Sequence, residues 1–391
     1  MAPTPSSLLR LCALLLLSSA ALAQPAAPSA APAPAAPSAP AGNRTPALVS
    51  PEIAADRRVT FRLMAPNATK VSILGQWDNA RHDLTKDAQG VWSITLGPIE
   101  PSYWIYNFTV DGLDIADPIN PDVKLRMRTS ASLLSVPSPT SPWDPRVDVP
   151  HGSVEINWHS SKVTGDTRAF HVYTPPGYDP AGATRYPVLY LLHGNNGTAA
   201  DWTAAGRAHF MADNLLAEKR MVPMIIVMPL GHAVPFNNPQ GQNNNTAFER
   251  YLLEDVLPIV DRKYRVAAGP AKRAILGLSM GGGQAIRIGL GHLDLFSAVG
   301  GFSSAAVQDF TTRFQGLLAD PAGTNAKLNL LWIGCGRQDT AFGRAEALAK
   351  TLGDAKIRHT FFAIDGFHDY FFWRRCFLET APLLFKPGAK S

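Results

Sequence analysis

Cysteine, charge and long apolar runs are all scarce in this chain. It has three cysteines in 391 residues, and 17% of its residues are charged. Leaving aside Cys12, only Cys335 and Cys376 remain, too few for a disulfide scaffold, and nothing nearby has zinc-ligand spacing. Two readings stay open for this pair, small buried residues or a single bridge. The net charge of +5 comes without any Lys/Arg run, so no nucleic-acid partner is expected. The apolar run Leu11–Leu17 is too short to span a bilayer, and no later one is longer, so no membrane partner is expected either. Walker-type loops and dinucleotide fingerprints are also missing, and no cofactor or metal is called for.

What is present changes character along the chain. Arg10, the run Leu11–Leu17 and the exit Ala21-Leu22-Ala23 read as a secretory signal over 1–23, predicting a secreted or periplasmic protein. Residues 24–50 are dominated by Pro, Ala and Ser and predict an extended tether. Over 51–137 the apolar residues alternate: Val59, Phe61 and Leu63, then Val71 and Ile73, then Trp92, Ile94 and Leu96, then Trp104, Tyr106, Phe108 and Val110. Period two with turn residues between the runs predicts a small antiparallel sandwich. A second Pro-rich linker covers 138–150. From 151 to 391, short apolar strands (Val188–Leu192, Met224–Val227, Ala274–Leu278, Leu330–Ile333, Thr360–Ile364) alternate with helical segments. One of these helices carries Phe248, Tyr251, Leu252, Asp255, Val256 and Val260 at helical spacing. Such alternation predicts an α/β domain with a mostly parallel sheet covered on both faces.

The chemistry concentrates in the second domain. Gly277-Leu278-Ser279-Met280-Gly281 lies between a strand and a helix, the setting of a nucleophile elbow. A serine hydroxyl is a weak nucleophile near neutral pH and needs a base and an orienting acid. Asp339 follows the strand ending at Ile333, and His368 follows the strand ending at Ile364, in the order serine, acid, histidine. Ser279, Asp339 and His368 are therefore the candidate catalytic residues. His359 precedes its strand, and His292 follows the elbow helix, so neither suits the base. Backbone N–H groups of Met280 and Asn195 are the candidate oxyanion donors. Asn195 sits in the loop His193-Gly194-Asn195-Asn196-Gly197, where His193 is read as structural.

These motifs carry a resemblance. His193-Gly194, Gly277-Leu278-Ser279-Met280-Gly281-Gly282, Gly334-Cys335-Gly336 with Asp339, and His368 with Trp373-Arg374 resemble the feruloyl-esterase branch of carbohydrate esterase family one. Tyr173-Thr174-Pro175-Pro176-Gly177-Tyr178 fits too, and the likeness extends over about 150–388. Esterase D, the mycolyltransferases and the enterochelin esterases are relatives of that family. Gly75-Gln76-Trp77, Gly90-Val91-Trp92, Tyr106 to Gly112 and Asp117-Pro118-Ile119-Asn120-Pro121 resemble the early-set module known as carbohydrate-binding module family forty-eight. The resemblance implies an α/β-hydrolase fold behind a small all-β, immunoglobulin-like sandwich. Two stretches depart from the family: Asp369-Tyr370 stands where Thr or Ser then Trp is common, and Asn237–Asn245 is rich in Asn and Gln. Both are expected to line the acyl pocket.

The function expected is hydrolysis of an ester joining a hydroxycinnamic acid to a plant polysaccharide, with Trp373, Tyr370 and Asn196 as candidate substrate contacts. A siderophore esterase, an acetyl esterase acting on xylan, and a non-catalytic polysaccharide-binding protein are the alternatives. The sandwich itself has two readings, a sugar binder or a wall of the active site.

Overall fold

Alternation builds the first domain. In the computed structural model, which describes residues 47–237, 241, 243–304 and 309–386, two antiparallel sheets face each other. The expected signal and nearly all of the tether lie outside the described residues. One sheet has the order Glu52–Ile53, Val59–Met64, Val91–Leu96, Thr85–Lys86. The other runs Arg81–Asp83, Val71–Gly75, Ser102–Val110, Ala131–Val136, Val123–Lys124, with Leu113–Ile115 beside Ser102–Val110. Val59, Phe61, Leu63, Val71, Ile73, Trp104, Tyr106 and Phe108 point inward and form its core. The Asp117–Asn120 segment is a polar knot on this sandwich: the Tyr106 and Ser50 hydroxyls donate to Asp117 Oδ2 at 2.8 and 2.7 Å. Asn120 Nδ2 donates to Tyr106 Oη and to the Leu133 carbonyl.

The second domain is an eight-stranded sheet. Its strands are β1 (Ser153–Ser160), β2 (Thr167–Thr174), β3 (Val188–Leu192), β4 (Ile225–Pro229), β5 (Arg273–Leu278), β6 (Ala298–Phe302), β7 (Leu330–Gly336) and β8 (Thr360–Ile364). Their spatial order is β1-β2-β4-β3-β5-β6-β7-β8. β1–β2 and β2–β4 pair antiparallel, and every later pair is parallel. β3 to β7 are buried along their length because helices cover both faces, so they read as continuous apolar runs. The helical segment 244–263 buries Phe248, Tyr251, Leu252, Asp255, Val256 and Val260, with a π-helical turn at Tyr251–Val256.

Cys335 and Cys376 are free thiols. Cys335 belongs to the core on one side of the sheet and Cys376 to the core on the other, so the sheet separates them and excludes the bridge. Burial pushes the Cys335 thiol up to about 12 and holds Cys376 well above the usual thiol range, which leaves both protonated.

The two domains share a core. Ser102–Val110 turns Trp104, Tyr106 and Phe108 into the sandwich and Ile105 the other way, into the hydrophobic cluster that holds Trp202, Tyr370 and Trp373. The Pro-rich stretch at 138–150 is a docked strap, not an open spacer. Its Trp143 is buried in that same cluster, and Asn214 Nδ2 donates to the carbonyls of Pro142 and Asp144 at 3.0 Å. The helix Tyr370–Thr380 is the hinge pin of the contact. Its Phe371 stacks on Trp104 with ring centroids 5.2 Å apart. Its Arg374 is 0% exposed and donates to Ser102 Oγ at 2.7 Å, to the Tyr103 carbonyl at 2.9 Å and to the Ala205 carbonyl at 2.5 Å. Burial lowers the Arg374 pKa to about 10, so the guanidinium is a cation held by oxygen dipoles. Replacing Arg374 with Met removes the donor from two buried acceptors, the Ala205 carbonyl and Ser102 Oγ, and from the part-buried Tyr103 carbonyl. Urea titration should therefore show a loss of about 3 kcal/mol or more. A loss below about 1 kcal/mol would contradict this view of the interface.

Candidate active site

The elbow forms because β5 must turn sharply into the helix Ser279–Gly291. A β-carbon on Gly281 would lie 2.4 Å from the His193 carbonyl oxygen, and one on Gly277 would lie 2.4 Å from the Gly281 carbonyl oxygen. Glycine at both positions lets the chain pass. Ser279 takes the remaining strain, with φ at 72°, a left-handed conformation that costs a non-glycine residue about 1–3 kcal/mol. That turn lifts the side chain off the sheet toward His368.

His368 Nε2 lies 2.9 Å from Ser279 Oγ, and His368 Nδ1 lies 2.9 and 3.0 Å from the two oxygens of Asp339. The loops carrying the acid and the base are stitched together: Gln338 N–H donates to the Gly366 carbonyl, and Gly366 N–H donates to Gln338 Oε1 at 2.7 Å. Burial pushes the Asp339 carboxyl up, but hydrogen bonds from His368, the Ser303 hydroxyl and the Ala341 N–H outweigh it and hold the group below the usual carboxylate range. An ionised Asp339 accepts from His368 Nδ1–H and leaves Nε2 free to take a proton from Ser279.

The remaining expected residues surround this relay. Asn195 lines the cavity beside Ser279, and Met280 N–H belongs to the first helical turn, whose amides have no partner within the helix. His193 is buried, which lowers its pKa; Nε2 accepts from Gly231 N–H at 2.8 Å and Nδ1–H donates to the Gly194 carbonyl at 2.7 Å. It shapes the loop and leaves no nitrogen for catalysis. Trp373 sets its ring edge-on to His368, with centroids 5.1 Å apart, and its Nε1–H donates to Ser303 Oγ. Tyr370 lines the cavity, but its hydroxyl is directed to Asp201 Oδ2. Asn196 also lines the cavity, and its Oδ1 accepts from Arg128 N–H at 2.8 Å, which ties its loop to the sandwich. Asp369 caps the helix Tyr370–Thr380 by accepting from Phe372 N–H at 3.0 Å, work that Thr or Ser also performs. In the Asn-rich stretch, Asn243 caps a helix and Asn244 Nδ2 donates to the Gly231 carbonyl, both structural roles. Residues 238–240 and 242 lie outside the described residues.

A cavity of about 390 Å³ opens over Ser279 and His368. Gln76, Ile105, Lys124 and Arg126 of the sandwich line it together with Leu278, Tyr370 and Trp373. Of these four only Gln76 lies in a motif quoted from the sequence, and none was among the candidate site residues. Lys124 Nζ donates to Asp201 Oδ2 at 2.9 Å, and both side chains are almost fully buried. Asp201 Oδ1 accepts from Thr198 N–H, which ties the same carboxylate to the loop carrying Asn195. One carboxylate thus joins the sandwich, the loop carrying Asn195 and the helix that follows His368.

The Esterase family model matches residues 161–382, more than half of the chain. The chain belongs to this esterase family. The esterase carries in front a match to carbohydrate-binding module 48, the isoamylase N-terminal domain, over residues 49–123. It is 29% identical over 343 residues to an endo-1,4-beta-xylanase/feruloyl esterase of Xylanibacter ruminicola, covering 86% of this chain and 46% of that relative. The chain therefore spans about half the length of that curated relative. A solved ferulic acid esterase superposes with a TM-score of 0.53 at 27% identity, over 60% of this chain and 98% of that one. The enterobactin esterase of Shigella flexneri shares the fold over 84% of this chain and 92% of its own, with a TM-score of 0.62 at 18% identity.

Asp339→Asn keeps the shape of the acid but reverses the hydrogen bond that fixes the tautomer of His368. The variant should fold normally and lose about 10³–10⁴-fold in kcat on an activated acetate ester. Retention of more than a tenth of the wild-type rate would show that Asp339 does not orient the base.

Proposed function

We propose that the esterase releases hydroxycinnamic, ferulic-type acids from plant polysaccharide esters through an acyl-enzyme on Ser279. The hydrogen-bonded line Ser279–His368–Asp339 at the floor of the cavity carries this reading. Ser279 Oγ attacks the ester carbonyl as His368 Nε2 takes its proton. The oxyanion is received by the N–H groups of Met280 and Asn195. His368 then returns the proton to the departing alcohol, leaving the acyl group on Ser279. Water, deprotonated by the same nitrogen, releases the acid and restores the hydroxyl.

Support for the acyl class is twofold. Trp373, Tyr370, Ile105 and Leu278 give the cavity aromatic and aliphatic walls suited to a flat phenylpropenoyl group. The names of the Xylanibacter relative and of the solved ferulic acid esterase point the same way. Export is part of the proposal and rests on the signal-like residues 1–23. A siderophore esterase is the second reading, favoured by the two-domain likeness to the Shigella enzyme.

Purified protein and its Ser279→Ala variant, assayed on methyl ferulate, acetylated xylan and enterobactin, separate the readings. Release of ferulate as the fastest reaction, lost in the variant by about 10³-fold or more, is the expected result. Preferred cleavage of enterobactin or of acetyl groups would replace the ferulic reading, and undiminished turnover by the variant would remove Ser279 from the mechanism.

A further inference from the structure

Asp201 opens the short helix Asp201–Ala204 and is buried on the wall of the cavity. Its carboxylate gathers donors from three parts of the structure. Oδ1 accepts from Thr198 N–H at 3.0 Å and from Thr198 Oγ1 at 3.3 Å, which closes the loop that carries Asn195. Oδ2 accepts from Tyr370 Oη at 2.9 Å, two residues beyond His368. The third donor comes from the sandwich, where Lys124 Nζ, at the end of the strand Val123–Lys124, lies 2.9 Å from the same Oδ2. The loop lies directly against this carboxylate. A β-carbon on Gly197 would be 2.4 Å from Asp201 Oδ2 and 2.7 Å from His193 Nδ1.

Of these donors only Lys124 is charged. Among the described residues no other cationic side chain lies within ion-pair distance of Asp201. A carboxylate so deeply buried needs a counter-charge to stay ionised. Without Lys124 it would take up a proton or turn toward another donor, and either event disturbs the bonds to Thr198. A carboxylate left ionised and unpaired would do further harm. It would stand on the wall of the cavity where a second negative charge, the oxyanion, has to form.

We propose that Lys124 is a positioning residue for ester hydrolysis. Acting through Asp201, it holds the loop carrying Asn195 in place and cancels the charge beside the oxyanion. A residue of the sandwich then serves the chemical step itself, whatever alcohol the ester carries. This rests on the reading in which the N–H groups of Asn195 and Met280 receive the oxyanion.

The test uses p-nitrophenyl acetate, which has no sugar and a minimal acyl group, with rates taken per folded chain by circular dichroism. Lys124→Met should lower kcat by about tenfold or more and leave KM within about twofold of wild type. Lys124→Gln, which keeps a donor for Asp201 and loses only the charge, should lose rate in the same direction. Lys124→Met combined with Asp201→Asn removes both charges and keeps an oxygen for Thr198 N–H, and it should recover most of the lost rate. Phenylboronic acid supplies a readout that a merely structural role does not move. Ser279 Oγ bonds to boron as its proton passes to His368, and the tetrahedral adduct places its negative charge where the oxyanion would lie. Its affinity should fall in Lys124→Met by about the factor lost from kcat.

A kcat and a boronate affinity within about twofold of wild type in both single variants overturn the proposal. A loss that the double variant shares in full overturns it as well, because removing the stranded charge would then bring nothing back. Asn195→Pro deletes the N–H in question. If it leaves boronate affinity unchanged, the oxyanion reading has failed and the role of Lys124 falls with it. If it weakens the boronate while the Lys124 variants do not, Lys124 alone is rejected.

Discussion

The close passage of two backbone segments at the elbow governs the rest of the site. With 2.4 Å between the built β-carbon of Gly281 and the His193 carbonyl, the loop after β3 and the start of the elbow helix can lie together only if Gly281 has no side chain. That contact puts the loop carrying Asn195 beside Ser279. At that turn Ser279 has a left-handed backbone, and its Oγ lies 2.9 Å from His368 Nε2. The packed cores on both faces of the sheet hold this strained residue in place.

The helix Tyr370–Thr380 links catalysis to domain architecture. It begins next to His368, is capped by Asp369, and contributes Tyr370 and Trp373 to the cavity and Phe371 and Arg374 to the sandwich interface. A shift of the sandwich would therefore move the helix that positions the base. The Lys124–Asp201 pair adds a second tie, from the sandwich to the loop carrying Asn195 through Thr198. Buried ion pairs contribute little net stability, but breaking one leaves a charge stranded, so such a pair specifies geometry.

The relay was legible in the sequence because each member follows a strand that announces itself by its apolar run. β6 was not: Ala298–Phe302 contains Gly300 and Gly301, which have low strand propensity, so its apolar run is interrupted. The sandwich was legible from its alternation, but its role at the active site was not. Lys124 and Asp201 lie 77 positions apart, and no local pattern marks a pair that meets only across a domain interface. Asn196 lines the cavity, and the bond its amide oxygen accepts from the Arg128 N–H of the sandwich is another contact that no local pattern marks. The Pro-rich strap hid a buried Trp143 because composition records the prolines and not where one aromatic ring packs.

Covalent labelling tests the central claim, that Ser279 activated by His368 is the acyl acceptor. The protein is treated with a fluorophosphonate at neutral pH and the adduct located by peptide mass spectrometry. The account predicts one adduct, on Ser279, formed in wild type and suppressed in His368→Ala. Labelling elsewhere, or undiminished labelling of Ser279 in His368→Ala, would contradict it.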